Sequence, residues 1–317
     1  MKLTCLKEGT ERMVAFIILN YESVADLKRC VASIREKTEL EYRIYIVDNA
    51  SQDDSVIELK KEYSSVDDVR IITSECNRGY SAGNNIGIKQ AVADGADKLI
   101  IVNPDVILKN DIAMILADKM DKRKNIGVAI PYIIDANGNF GQIFRKQYTF
   151  ERALTERKPL LYLTRLNDNL SLHIRNVDIK REFEFQGSGS GCCFMISSEL
   201  ISELGYLDEE IFLYYEEYVL GKKLQDRKLK VLYVPQAMII HNHRNEKKYC
   251  TASTNYYRYL SSLYVLGKYE KCSKWKLRIL LIENTILLLL RSIYLKEYRG
   301  MTAKYFKNAN SLLKNIM

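Results

Sequence analysis

The chain begins with apolar runs at 13–19, 43–47, 69–73 and 98–102, all rich in β-branched residues and each closed by polar ones. Runs of that length and composition predict buried strands. Between the first two lies SVADLKRCVASIREK, where Leu27, Cys30, Val31 and Ile34 fall at i, i+3, i+4 and i+7, the spacing of a helix with one buried face. Ser23 followed by Asp26 reads as a capping box at its start. The pattern predicts further helices over 54–63, 81–94 (stopped by Gly95) and 111–123. Strands alternating with helices predict an α/β domain whose mainly parallel sheet is covered on both faces.

From Gly127 the alternation loosens. One more apolar run reaches Ile134, and a polar, irregular stretch then extends to about Phe183. Strand-like segments return at 193–196, 230–234 and 238–241, with a helix predicted over 218–227. The segment Gly187-Ser188-Gly189-Ser190-Gly191 is linker-like but short for an interdomain tether. Beyond Arg244 the sequence is basic, Tyr-rich and helical in period. We therefore divide the chain into an α/β domain over 13–243 and a helical region over 244–317. No internal repeat or low-complexity segment is visible.

Composition adds three constraints. With 317 residues, 47% hydrophobic and 28% charged, the chain has material for a sizeable core and is far from a disordered polypeptide. The net charge of +8 is concentrated at one end: residues 244–317 hold 15 Lys and Arg against 4 Glu, and the remainder is slightly acidic. That end is built to meet something anionic. The seven cysteines (Cys5, Cys30, Cys76, Cys192, Cys193, Cys250, Cys272) are scattered without a C-x-x-C, which suggests neither a disulfide framework nor a zinc site. Residues 1–12 lack the apolar stretch of a secretion signal, and the run 279–290 is interrupted by Glu283 and Asn284. The expectation is a cytoplasmic protein.

In an open α/β sheet, ligands bind outside the carboxyl ends of the strands. Those ends are polar here: Asn20-Tyr21, Asp48-Asn49 and Asn103-Pro104-Asp105. Each alone could be an ordinary turn, but three at one edge suggest a pocket. No G-x-G-x-x-G follows the first strand and no G-x-x-x-x-G-K-[ST] occurs, so neither a dinucleotide fingerprint nor a P-loop is present. A strand-end carboxylate suits a divalent cation shared with phosphate oxygens, and Asp105 is the candidate. The segment 77–85 (NRGYSAGNN) opens a helix with small residues and Arg78, either an anion contact or a glycine-bearing turn with a solvated Arg. Phe212-Leu213-Tyr214-Tyr215-Glu216-Glu217 places two carboxylates behind aromatic residues; they are either helix-start acids or carboxylates desolvated toward base function. His241 and His243 follow a strand-like run, each a structural residue or a metal ligand, and His173 is uninformative.

Taken in order, AFIILNYES, IYIVDNASQDDS, NRGYSAGNN, IIVNPDV, GSGCCFMIS, LGYLDEEIFLYYEE and VLYVPQAMIIHNH resemble the family 2 glycosyltransferases, in particular the rhamnosyltransferase-like branch of surface-polysaccharide assembly. The resemblance spans most of residues 14–243. It implies a GT-A fold and inverting transfer from a nucleotide-diphospho-sugar, a UDP- or dTDP-sugar, to a hydroxyl of a glycan or lipid-linked acceptor. By position it implies that Asn20, Tyr21 and Asp48 hold the nucleoside, with Arg78, Asn103 and Gly191 near the donor. Asp105, assisted by His241, would hold Mg2+ or Mn2+. Glu217 takes the place of the catalytic base, beside Glu216.

Three departures from the family pattern stand out: Asn-Pro-Asp supplies one acid at the metal position, Glu216-Glu217 replaces the usual Glu-Asp, and Val219 stands where another Asp is common. The last two, Val219 above all, keep open a catalytically retired binding or assembly subunit. A nucleotidyltransferase is less well supported, since Asn20-Tyr21-Glu22-Ser23 is not a Gly- and basic-rich loop. The tail resembles nothing as specific. Its charge suits an anionic membrane surface, which would make the protein peripheral on the inner face of the plasma membrane, or a helical unit packed on the α/β domain or on a second copy. No nucleic-acid-binding motif is present.

Overall fold

The computed structural model describes residues 13–155, 173–242 and 251–316. His243 and much of the irregular stretch before Phe183 lie outside the described residues. Nine strands form one sheet among the described residues: β1 (Val14–Asn20), β2 (Tyr42–Asp48), β3 (Val69–Thr73), β4 (Lys98–Val102), β5 (Val106–Leu108), β6 (Ile126–Asp135), β7 (Phe183–Phe185), β8 (Cys193–Ser197) and β9 (Lys230–His241). Their order is β3-β2-β1-β4-β8-β6-β9-β5, with β7 also on β9. Strands β1 to β4 pair in parallel, as do β6 and β9; β8 runs antiparallel between β4 and β6.

Helices α1 (Val24–Lys37), α2 (Ser55–Tyr63), α3 (Tyr80–Ala93) and α4 (Ile112–Asp121) connect the early strands. Side chains alternate faces along a strand, and here both faces are buried. On β1, Val14, Phe16 and Ile18 join one core with Leu27, Val31 and Ile34 of α1, while Ala15 and Ile17, with Met13 just before the strand, join a second core with Ile88 of α3. Strand β4 divides the same way, Ile100 and Val102 against Leu99 and Ile101. Each such buried side chain contributes about 1.5–3 kcal/mol of transfer free energy, which fixes the register of the sheet and hence the position of its polar edge.

Several sequence expectations change in detail. Ser23 does not cap α1 through its side chain; its Oγ donates to Asn20 Oδ1 at 3.2 Å, because Asn20 ends the adjoining strand and is nearer. The segments expected at 230–234 and 238–241 are one strand, β9. A register irregularity beside Pro235 bends it without ending its pairing to β6. Strand β5, too short to show in the pattern, pairs with the end of β9 so that Val106 faces His241.

The remaining helices are α5 (Phe150–Thr155), α6 (Ser198–Glu203), α7 (Glu216–Asp226), α8 (Ala252–Lys268), α9 (Lys274–Tyr294) and α10 (Met301–Ile316). A third core joins Leu263, Leu266, Leu277, Leu281 and Tyr305 of the last three to Tyr148, Ile211, Tyr218 and Val219 of the α/β region. Tyr148 and Ser262 share a buried hydroxyl contact at 2.7 Å across this junction.

Candidate active site

The parallel strands end at one edge, as their register requires: Asn20 of β1 lies opposite Asp48 of β2. Both are fully buried. Asp48 accepts from Asn20 Nδ2 (2.8 Å) and Ser51 Oγ (2.7 Å) on one oxygen and from the Ser51 N–H (3.0 Å) on the other. This pair is a rigid floor at the strand ends, and Tyr21, 44% exposed, stands beside it.

The chain leaving β4 turns through Asn103, whose N–H donates to the Cys192 carbonyl at 2.8 Å, and presents Asp105. Because β5 starts at the next residue and pairs with β9, Asp105 and His241 meet: His241 Nε2 lies 3.1 Å from Asp105 Oδ1, and the Asn242 N–H donates to the Asp105 carbonyl. Burial disfavours a charged imidazole at His241, but the facing Cys192 and Asp105 outweigh it and lift the ring to about 10. The proton held by that pairing is what a divalent cation would displace.

The turn before α7 forms another part of the site. Tyr214 and Tyr215 both adopt left-handed backbone angles (φ 69° and 75°), a conformation that costs non-glycine residues about 1–3 kcal/mol each. The surroundings enforce it. The Tyr80 N–H and Ser261 Oγ donate to the Phe212 and Leu213 carbonyls, at 2.9 Å each. The Phe212 ring stacks on Tyr257 (4.5 Å, 20°), and the Arg258 guanidinium lies over Tyr214 at 5.0 Å. Gly79 is the hinge of this contact: its φ is +90°, and a Cβ there would sit 2.0 Å from the Phe212 carbonyl oxygen. The strained turn places Glu216 and Glu217 in the first turn of α7, where the helix dipole favours acids.

The two carboxylates have different environments. Glu217 Oε1 lies 3.1 Å from an Arg145 Nη1 that also donates to the Gly189 carbonyl. Glu216 has a buried oxygen with no hydrogen-bond partner among the described residues. Burial, reinforced by the charge of Glu217, pushes its carboxyl up to about 8, so at neutral pH it is largely protonated. Tyr80, also raised by burial, keeps its proton and donates to the Gly191 carbonyl at 2.8 Å.

These walls enclose a cavity of about 650 Å³ lined by Asn103, Asp105, Gly191, Glu216, Glu217 and His241 among others. Its volume falls within the range of small-molecule sites. Six residues singled out in the sequence thus share one cavity. Asn20, Tyr21 and Asp48 lie at the neighbouring strand ends outside its lining, and Arg78, 61% exposed, pairs with Glu209 at 3.3 Å. The glycine-serine segment is no tether: Ser188 is buried and bridges Arg145, and a Cβ on Gly221 of α7 would meet the Gly187 carbonyl at 2.5 Å. Sequence reading missed Arg145, in the stretch without periodicity, and Arg258, in the tail; Tyr80 lay inside a quoted motif but carried no role.

Among the described residues no cluster of three or more His, Cys, Asp or Glu could hold a metal ion. One carboxylate and one imidazole at the wall of a ligand-sized cavity fit a hard divalent cation that takes its other oxygens from phosphate and water.

The mainly parallel sheet with a carboxylate-lined cavity at its strand-end edge has the architecture of the GT-A fold. The chain belongs to glycosyl transferase family 2, whose model matches residues 15–177. It is similar to the low-salt glycan biosynthesis hexosyltransferase Agl10 of Haloferax volcanii, with 29% identity over 64% of this chain and 59% of that protein. It is also similar to the N-acetylglucosaminyl-diphospho-decaprenol L-rhamnosyltransferase of Mycobacterium tuberculosis, with 25% identity over 71% and 75%. The match thus spans less than two thirds of the Haloferax protein. A crystal structure of GalNAc-T7 with UDP, GalNAc and Mn2+ shares the fold at a TM-score of 0.56 and 19% identity, covering 76% of this chain and 45% of that one.

Proposed function

We propose that this protein is an inverting glycosyltransferase that moves a sugar from a nucleotide-diphospho-sugar to a hydroxyl of a glycan or lipid-linked acceptor in the assembly of a cell-surface polysaccharide. The observation that carries the reading is the one cavity whose lining brings Asp105 and His241, from the sheet edge, together with Glu217, from the start of α7. Displacement at an anomeric carbon needs a neutralised diphosphate leaving group and a proton acceptor on the other side of the sugar. The names of the relatives, a hexosyltransferase and a rhamnosyltransferase acting on a diphospho-decaprenol-linked sugar, support the donor and acceptor classes.

Asp105 and His241 would hold Mg2+ or Mn2+, which supplies charge neutralisation to the departing diphosphate. Asn103, anchored through Cys192, fixes the approach of Asp105. Asn20, Asp48 and Tyr21 form the adjoining floor for the nucleoside, and Arg78 stands at its outer rim. Glu217, oriented by Arg145, takes the acceptor proton, a role worth about 100- to 10,000-fold in rate. Glu216, protonated and buried, keeps a second negative charge out of the site.

A thermal-shift screen of UDP-, dTDP- and GDP-sugars with and without Mn2+ tests the donor half of the reading. The correct donor raises the melting temperature by mass action, and Asp105→Ala abolishes the part of the shift that depends on metal. A metal-dependent part of the shift that survives undiminished in the variant would remove Asp105 from the metal site.

A further inference from the structure

Helix α9 is apolar on two sides. One side, Leu277, Leu280, Leu281, Asn284 and Leu288, is buried against α8 and α10, with Asn284 Nδ2 donating to the Tyr305 hydroxyl at 2.9 Å. The other side is Trp275, Ile279, Ile282, Ile286, Leu289 and Ile293, at successive steps of four and three residues. Each of these large side chains is at least 43% exposed. From Ile279 to Leu295 every exposed residue is Ile, Leu or Tyr; no exposed charge interrupts the strip. A helix that is apolar all round is normally buried all round. A strip that runs the length of a 21-residue helix, on the order of 30 Å, exceeds what soluble monomers usually leave uncovered.

Charge decides what covers it. Over 271–316 the exposed charged residues are Lys271, Lys274, Arg278, Lys296, Arg299, Lys304, Lys307 and Lys314 against one acid, Glu297. Lys274 and Arg278 flank the strip at one end, and Lys296 and Arg299 follow it at the other. A second copy docked through this face would bring two such basic units together. A surface of anionic lipid instead satisfies both the apolar strip and its basic ends. No described helix is long and apolar enough to cross a membrane, so the geometry is that of a helix lying in the interface.

We propose that the exposed face of α9 docks the protein on anionic lipid headgroups, with the strip from Trp275 to Ile293 inserted at the acyl boundary and the basic residues at its ends on the lipid charge. Through Tyr257, Arg258 and Ser261 of α8, the helical unit that carries this face also holds the turn that carries Glu216 and Glu217. The proposal extends the transferase reading without depending on it.

Trp275 is the chain's only tryptophan and is 60% exposed, which makes it a built-in reporter. The full chain is mixed with vesicles of phosphatidylcholine, with and without phosphatidylglycerol, at low and high salt, and followed by flotation and Trp emission. The expected result is flotation and a blue shift with the anionic vesicles, weakened by salt. The double variant Ile282→Glu/Leu289→Glu should reduce this at least about tenfold, and it should keep the wild-type melting temperature because both positions are exposed. Reversal at the ends, Arg278→Glu/Lys296→Glu, should lose binding to anionic vesicles by a similar or larger factor. No vesicle binding by the wild type, or equal binding by the Ile282/Leu289 variant, would overturn the proposal. So would a wild-type dimer in light scattering that this variant makes monomeric without vesicle binding, which would assign the face to a second copy. None of these readouts requires a sugar donor, so their failure is separate from failure of the catalytic reading.

Discussion

Replacing Glu216 by Gln removes a titration that the fold makes unfavourable, and the size of the effect follows from the site. The carboxyl moves from an ordinary 4.5 to about 8, chiefly because its surroundings exclude water and secondarily because Glu217 lies beside it. The native state therefore binds a proton that the unfolded chain releases between about pH 4.5 and about pH 8, so the stability contribution is intact at the acid end and is lost as the pH rises. At 1.36 kcal/mol per unit the whole shift corresponds to roughly 5 kcal/mol. Part of it is shared with Glu217, and the Gln amide, itself short of a partner, subtracts about 1 kcal/mol. We expect Glu216→Gln to match the wild type near pH 5 and to exceed it by about 2–3 kcal/mol near pH 8. The assay is thermal unfolding of both proteins across that range, where each kcal/mol moves the midpoint by roughly 2 °C in a chain of this size. Parallel pH profiles for the two proteins would refute the claim that Glu216 is held protonated.

Two further substitutions test the scaffold. Gly79→Ala forces a Cβ onto the Phe212 carbonyl at a left-handed φ; it should cost about 2 kcal/mol or more in urea unfolding and weaken donor binding by displacing the turn before α7. Val219→Asp, which restores the acid common at this family position, places a carboxylate in the third core beside Tyr148 and Ile211; a loss of about 3 kcal/mol or more is expected, and a neutral result would mean that the position is not core.

Most of the fold was legible because period-2 and period-3.6 patterns report burial directly. The first four strands and helices appear close to where Leu27, Val31, Ile34 and the β-branched runs place them. Strand β5 was invisible because three residues hold no period. The unity of β9 was invisible because Pro235 looks like a break, whereas pairing with β6 carries the strand past it. The carboxylates and His241 of the cavity could be named because several polar side chains collect at the strand ends and at one helix start, although each alone also has an ordinary structural use there. Arg145 could not, since its role depends on a loop crossing that brings it to Glu217 over a separation of 72 residues. Arg258 was hidden in a basic tail whose charge pointed outward, although its guanidinium covers Tyr214 at the cavity mouth. Val219 raised doubt about catalysis in the sequence; in the structure it is a core residue of α7, on the helix that presents Glu217 to the cavity.

The central claim, that Glu217 faces a bound activated sugar as its proton acceptor, is tested most directly by Glu217→Gln with the donor found in the screen. Sugar transfer and donor affinity are measured side by side on the same preparation. Transfer should fall by about 100-fold or more while donor affinity changes by less than about threefold. Undiminished transfer, or transfer and donor affinity lost together, would contradict the assignment.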